Sequence, residues 1–233
     1  IGCGVAIRRD AFCYSGGYDP SFGYYVEEYD LAARLIMAQG RVRFDPRFVV
    51  DHHKVEAGRN MDLILARLVR NNGWIAQRYA PSAEVRRAEQ RETIRRYRAI
   101  AEKESALTGY RRGLGELRRT RHQQRRTPMT PEHWRRFTGI AHATVALDRA
   151  HRSERFATAA LVDEGKNAWA VRSALEAIGV RLVAVDDAEA LIIGTMSPGP
   201  MLDAYERRLA NDRRVIAPWL DAACVESQAK QAA

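Results

Sequence analysis

Three carboxylates, Glu27, Glu28 and Asp30, follow an aromatic turn in GGYDPSFGYYVEEYDLAARLI, residues 16–36. A carboxylate at a helix start is stabilised by the exposed N–H groups and the helix dipole, by about 0.3–1 kcal/mol. That alone accounts for Glu27 and Glu28 as caps. The same surroundings keep a carboxylate ionised, and an ionised carboxylate beside a substrate hydroxyl is a general base. Phe22, Tyr24 and Tyr25 precede the acids. They supply either a platform for an apolar substrate face or part of a core.

The elements around these residues read as a mixture of strands and helices. IGCGVAIRR alternates small and apolar residues and predicts a strand, followed by a short helix and a turn marked by Gly16-Gly17 and Asp19-Pro20. Tyr29 to Gln39 predicts a helix. Leu31, Leu35 and Ala38 share one face there, Asp30 and Arg34 form an acid-before-base pair four residues apart, and Gly40 stops the helix. RVRFDPRFVVDHH predicts two strand-like pieces, and Met61 to Tyr79 a helix ended by Pro81. From Arg155 onward, strands alternate with helices: FATAALVDE, KNAWAVRSALEAIG, VRLVAVDD, ALIIGT, MLDAYERRLAND and RRVIAPWL. That alternation predicts a small parallel, Rossmann-like α/β domain over 151–233. In it Gly165 stands alone beside Asp163 and Glu164, a poor phosphate cradle, while Gly194 to Pro200 forms a second loop able to line a crevice at the strand ends.

Between these parts, residues 83–150 predict a basic helical region. The chain has 233 residues and a formal charge of +9, and the segment 84–126 holds 14 Lys or Arg against 6 Asp or Glu. The excess is therefore local. It fits a salt-bridged solvated helix pair, a peripheral membrane surface over anionic lipid, or, least well, nucleic acid, since aromatics are sparse and no nucleic-acid motif occurs. Three cysteines without CxxC spacing argue against a disulfide framework or a structural zinc site and fit a reducing, cytoplasmic compartment. No apolar run approaches the roughly 20 residues of a membrane span. The opening IGCGVAI carries no Met and reads as an interior strand, so the chain is expected to be the C-terminal part of a longer protein.

GCGVAIRRDAF, then GGYDPSFGYYVEEYDLAARLIMAQGRVRFDPRFVVDHH, resembles the C-terminal half of the catalytic domain of GT-A type, family 2 glycosyltransferases. The ordered pieces are a small-residue strand ending in Arg-Arg, Gly-Gly-aromatic-Asp, an aromatic turn, an acidic pair, Asp-Leu-x-x-Arg and a strand ending in His. LVRNNGWIAQRYAP resembles the helix that follows. The likeness covers about residues 1–81, within a domain expected over 1–82.

The resemblance implies an inverting transfer of a sugar from a nucleotide-diphospho-sugar to a saccharide or lipid-linked acceptor, in bacterial polysaccharide or glycolipid assembly. It makes Glu28 the base and Glu27 an acceptor-orienting acid. It places Gly2, Cys3, Gly4, Tyr24 and Tyr25 along the substrate, with Asp30 and Arg34 bracing or lining that region. His52 becomes a contact to the Mg²⁺ or Mn²⁺ on the donor diphosphate; its alternative is a strand-end His bonded to backbone. No Asp-x-Asp occurs to hold that metal, and Asp186-Asp187 lies far along the chain. The fragment is thus expected to carry the acceptor side of a site and to be inactive alone. The competing expectation is a catalytically silent relative serving as a binding or scaffold module.

Overall fold

Asn60 shows how local chemistry sets the elements: its side-chain oxygen accepts from Leu63 N at 2.9 Å and starts the helix Met61–Tyr79. The computed structural model describes residues 4–43, 45, 48, 50, 51, 53, 60–165, 167–210 and 214–218. Contacts divide the chain into one unit of Ile1–Val42 with Arg47–Trp134 and another of Arg43–Pro46 with Arg135–Ala233. The chain is mixed α/β.

The first unit is helical. It holds α1 (Arg9–Tyr14), a 3₁₀ turn (Pro20–Phe22), α2 (Glu27–Met37), α3 (Met61–Tyr79), α4 (Ala83–Lys103), α5 (Leu107–Thr120) and a 3₁₀ turn (Arg121–Gln123). Then α6 (Pro131–Thr138) crosses from one unit to the other. Ser82 caps α4 by accepting from Val85 N at 3.1 Å. Leu65 and Val69 of α3 meet Tyr97 and Ala101 of α4 and Tyr110 of α5 in one core. Three glycines permit this approach. A Cβ on Gly113 would lie 2.6 Å from Ala66 O, one on Gly109 would overlap the Asp62 backbone, and one on Gly73 would overlap the Leu117 side chain. The segment after α5 then runs back along the end of α3. Thr127 N donates to Arg78 O (2.8 Å), Met129 N to Tyr79 O (3.0 Å), and the Arg126 guanidinium to Gln77 O and Ala80 O.

Two expectations change here. The strand over IGCGVAIRR is not seen among its described residues: residues 5–8 are unpaired coil, Arg9 starts α1, and no strand occurs among the described residues of this unit to pair with them. The strand-like pieces of 41–53 likewise form none among their described residues. The basic region 83–150 is divided rather than separate. Its α4 and α5 close on α3, because their few apolar residues face that helix, while α7 packs on the sheet.

The second unit runs α7 (Ile140–Ser153), β1 (Thr158–Val162), α8 (Ala168–Ala177), β2 (Arg181–Leu182), a 3₁₀ turn (Val185–Asp187), β3 (Ala190–Ile193), α9 (Pro198–Leu209) and β4 (Val215–Ile216). The strands form one parallel sheet in the order β2-β1-β3-β4. Strand alternation explains its layers. Ala159, Leu161, Ala190 and Ile192 face α7 and α8, with Leu147, Val171 and Leu175. Val162, Leu191 and Ile193 face α9, with Met201 and Ala204. Apolar residues on both faces make this a sheet covered on both sides.

Candidate functional site at the start of the second helix

The turn before α2 is built around Phe22. Its ring is fully buried, meets Trp74 edge-on at 5.5 Å and lies under the Arg78 guanidinium at 4.9 Å. After it the backbone turns left-handed at Gly23 (φ 73°), Tyr25 (φ 71°) and Val26 (φ 73°). For Tyr and the β-branched Val that conformation costs on the order of 1–3 kcal/mol each and persists only where the surroundings enforce it.

Asn71 enforces it. This buried residue of α3 directs its amide nitrogen at Tyr25 O (2.7 Å), Phe22 O (3.1 Å) and Tyr24 O (3.3 Å). Arg70 donates to Asn71 Oδ1 (2.9 Å) and Phe22 O (2.9 Å), pairs with Glu116 at 3.2 Å and stacks over Trp74. The sequence showed Arg-Asn within LVRNNGWIAQRYAP but not where they reach. The one local signal is a polar residue on the inward face of α3.

Released by that turn, α2 begins at Glu27, two residues earlier than the periodicity predicts, and Val26 at the cap position offers no side-chain hydrogen bond. Three acids therefore fall in its first turn, where the dipole favours them. They diverge from there.

Asp30 turns inward and is fully buried. It accepts from Arg34 Nε (2.9 Å), Arg78 Nη1 (2.8 Å) and Tyr79 Oη (2.6 Å). Arg34 also donates to Ser15 O and to Gly17 O, and Arg78 to Asp19 Oδ2 (2.7 Å) and Gln124 Oε1 (2.9 Å). Burial, then the bond to the Asp30 carboxylate, pushes the Tyr79 phenol well above its ordinary value. Burial works against ionisation of Asp19, yet bonds from Ser21 and Arg78 outweigh it and hold its carboxyl low. The charged atoms of Asp30 and Arg34 are bonded to one another and to the fold, a bracing arrangement.

Glu27 and Glu28 remain partly exposed. One oxygen of Glu27, Oε2, is buried and has no hydrogen-bond partner among the described residues. Tyr97 of α4 has a raised phenol value, from burial first, with the nearby Glu28 charge adding to it. Asn72 donates to the Tyr97 oxygen at 3.1 Å. Tyr24 stands 56% exposed with its ring edge-on to Tyr25 at 4.5 Å. The turn thus presents two acids and an aromatic face together. Gly4 has φ 89°, and a Cβ there would lie 2.9 Å from Val50 Cγ2, so close packing explains this glycine. Gly2, Cys3 and His52 lie outside the described residues. Among the described residues no group of three or more His, Cys, Asp or Glu is placed to hold a metal ion.

A concavity belongs to the sheet. Strand order reverses between β1 and β3, and ligands of such sheets bind beyond the strand ends at that point. There Gly194 N donates to Val162 O at 2.6 Å and Gly165 N to Gly194 O at 3.0 Å. Bare glycines are required, since a Cβ on Gly165 would lie 2.9 Å from Thr195 Cβ and one on Gly194 2.9 Å from Glu164 Cγ. Beside them opens a cavity of about 330 Å³ lined by Asp163, Glu164, Thr195, Pro200, Asp203 and Arg207, so the loop after β3 does line a crevice. Two of its acids are engaged: Asp163 with Arg207 and Arg208, Glu164 with Arg172. The Arg208 hydrogen bond, more than any other influence, holds the Asp163 carboxyl low.

Comparison of the chain with protein-family models, with curated proteins and with solved structures returns no match. Among the described residues no helix is long and apolar enough to cross a membrane.

Proposed function

We propose that this chain carries the acceptor side of an inverting glycosyltransferase of the GT-A kind, with the sheet unit as an attached Rossmann-like domain. The observation that supports it is the pairing of Glu27 and Glu28 in the first turn of α2, behind a left-handed turn that Asn71 holds and beside the exposed Tyr24 ring. The ordered motifs of residues 1–82 supply the chemical class.

In this reading the apolar face of the acceptor sugar lies on Tyr24. Glu27 orients an acceptor hydroxyl. Glu28 takes the proton of the attacking hydroxyl as a new bond forms to the donor's anomeric carbon. The bond from that carbon to the diphosphate breaks on the opposite side, inverting the centre. The resemblance implies a Mg²⁺ or Mn²⁺ on the donor diphosphate, which would neutralise the charge of the leaving group.

The test is a screen of nucleotide sugars with the natural full-length protein, reading donor turnover, followed by Glu28→Gln. The substitution is expected to lower the transfer rate roughly 10²- to 10⁴-fold while donor affinity stays within about twofold. Wild-type turnover by that variant removes Glu28 from the mechanism. Binding of saccharide without turnover of any donor favours the scaffold reading.

A further inference from the structure

The basic segment resolves into two unlike surfaces. Helix α4 carries seven cations and four glutamates, and its acids stand among its cations along its length. Glu92 pairs with Arg95 at 2.9 Å and Arg98 with Glu102 at 3.0 Å. This is the solvated, salt-bridged helix of ordinary charge patterning.

Helix α5 is different. It buries Gly109, Tyr110, Gly113 and Leu117 against α3 and α4. Helical spacing places Arg111, Arg112, Arg118 and Arg119 on the opposite side, with only Gly115 between them, and all four are exposed. Its single acid, Glu116, sits at the flank and pairs with Arg70 (3.2 Å) and Arg112 (3.4 Å). Arg111, Arg118 and Arg119 have no carboxylate partner among the described residues. Exposed Arg121, His122 and Arg125 continue the run, and no acid follows before Pro131.

We propose that the outward face of α5 docks on an anionic lipid bilayer. Four guanidinium groups on one side of a helix about 21 Å long define a flat positive surface, the complement of a flat layer of anionic headgroups. The arginines of this face are not interleaved with aromatics that would stack on bases. Within α5 no Asn or Gln stands among them to read a base edge. Both helices carry a net charge of +3, but α4 sets acids among its exposed cations while the outward face of α5 carries cations alone, which assigns the attraction to α5. The inference stands independently of glycosyl transfer.

The test measures co-sedimentation of the full chain with vesicles of phosphatidylcholine containing about 30 mol % phosphatidylglycerol, against vesicles of phosphatidylcholine alone, at low salt. Two variants remove equal charge: Arg118→Gln/Arg119→Gln on α5 and Arg95→Gln/Arg98→Gln on α4. At about fivefold per basic residue, the α5 pair is expected to lose about 25-fold in partitioning and the α4 pair less than about threefold. Arg111→Gln/Arg112→Gln repeats the test nearer the start of the helix, and circular dichroism checks that each variant is folded. Equal losses from the two helices overturn the proposal, as does failure of the wild-type chain to bind the anionic vesicles. Tighter, arginine-dependent binding to duplex DNA or to RNA overturns the lipid assignment.

Discussion

Asp30 and Glu28 sit two residues apart in one turn of helix, and their surroundings give them opposite uses. Asp30 is enclosed by Arg34, Arg78 and Tyr79, while Glu28 keeps an open side. The sequence carries both as acids of one cluster, and the resemblance placed Asp30 and Arg34 among substrate-lining residues. A buried carboxylate holding two arginines is expensive to remove, because it leaves cationic groups uncompensated. Asp30→Asn is therefore expected to lower stability by about 3–5 kcal/mol, read as a fall in the urea midpoint with an unchanged slope. Were the residue a substrate contact at a site edge, the midpoint would hardly move and only saccharide affinity would fall. The acid pair, the aromatic turn and the Asp30–Arg34 bond were all readable in the sequence because they lie within one short stretch. Asn71, Arg78 and Tyr79 were not. Their bonds to the turn and to Asp30 span 46 to 49 residues, and no local pattern records a partner so distant.

At the scale of elements, α5 shows a helix whose glycines have opposite meanings. Gly113 faces Ala66, and a Cβ there would press within 2.6 Å of a backbone carbonyl that cannot yield cheaply. Gly115 faces outward, and its Cβ would meet only the tip of Arg119 at 3.4 Å. Alanine is the better helix former by about 1 kcal/mol, so propensity alone makes the two substitutions equal. Packing separates them. Gly115→Ala is expected to stabilise by about 0.5–1 kcal/mol and Gly113→Ala to destabilise by about 1–3 kcal/mol, both measurable by chemical denaturation. The same contrast explains what the sequence shows of the elements. α3 was legible to the residue, from its apolar spacing and Pro81, because a long amphipathic helix records its own limits. The strand expected at residues 1–9 rested on side-chain alternation, which shows that a strand is possible; the pairing that makes one lies elsewhere.

For the whole molecule, the sheet unit offers the sharper test of division. Every residue of its two apolar clusters falls between Ile140 and Ala217. The first unit's core of Leu65, Val69, Tyr97 and Tyr110 draws on a separate stretch. The βα alternation made this unit legible from Arg155 onward, but it missed α7, which the sequence assigned to the basic region and which supplies Ile140, Ala143 and Leu147 to the sheet. A fragment begun at residue 151 would bare that face of the sheet. One begun at 135 keeps it covered. Residues 135–233 are therefore expected to unfold in a single cooperative transition on their own, and residues 151–233 to lose cooperativity and bind a hydrophobic dye. Ile192→Ala, at a fully buried position between α8 and the sheet, should lower the stability of the longer fragment by about 2–5 kcal/mol. A cooperative 151–233 fragment would show that α7 is dispensable and return it to the basic segment. A non-cooperative 135–233 fragment would show that the first unit is needed to complete the sheet's core.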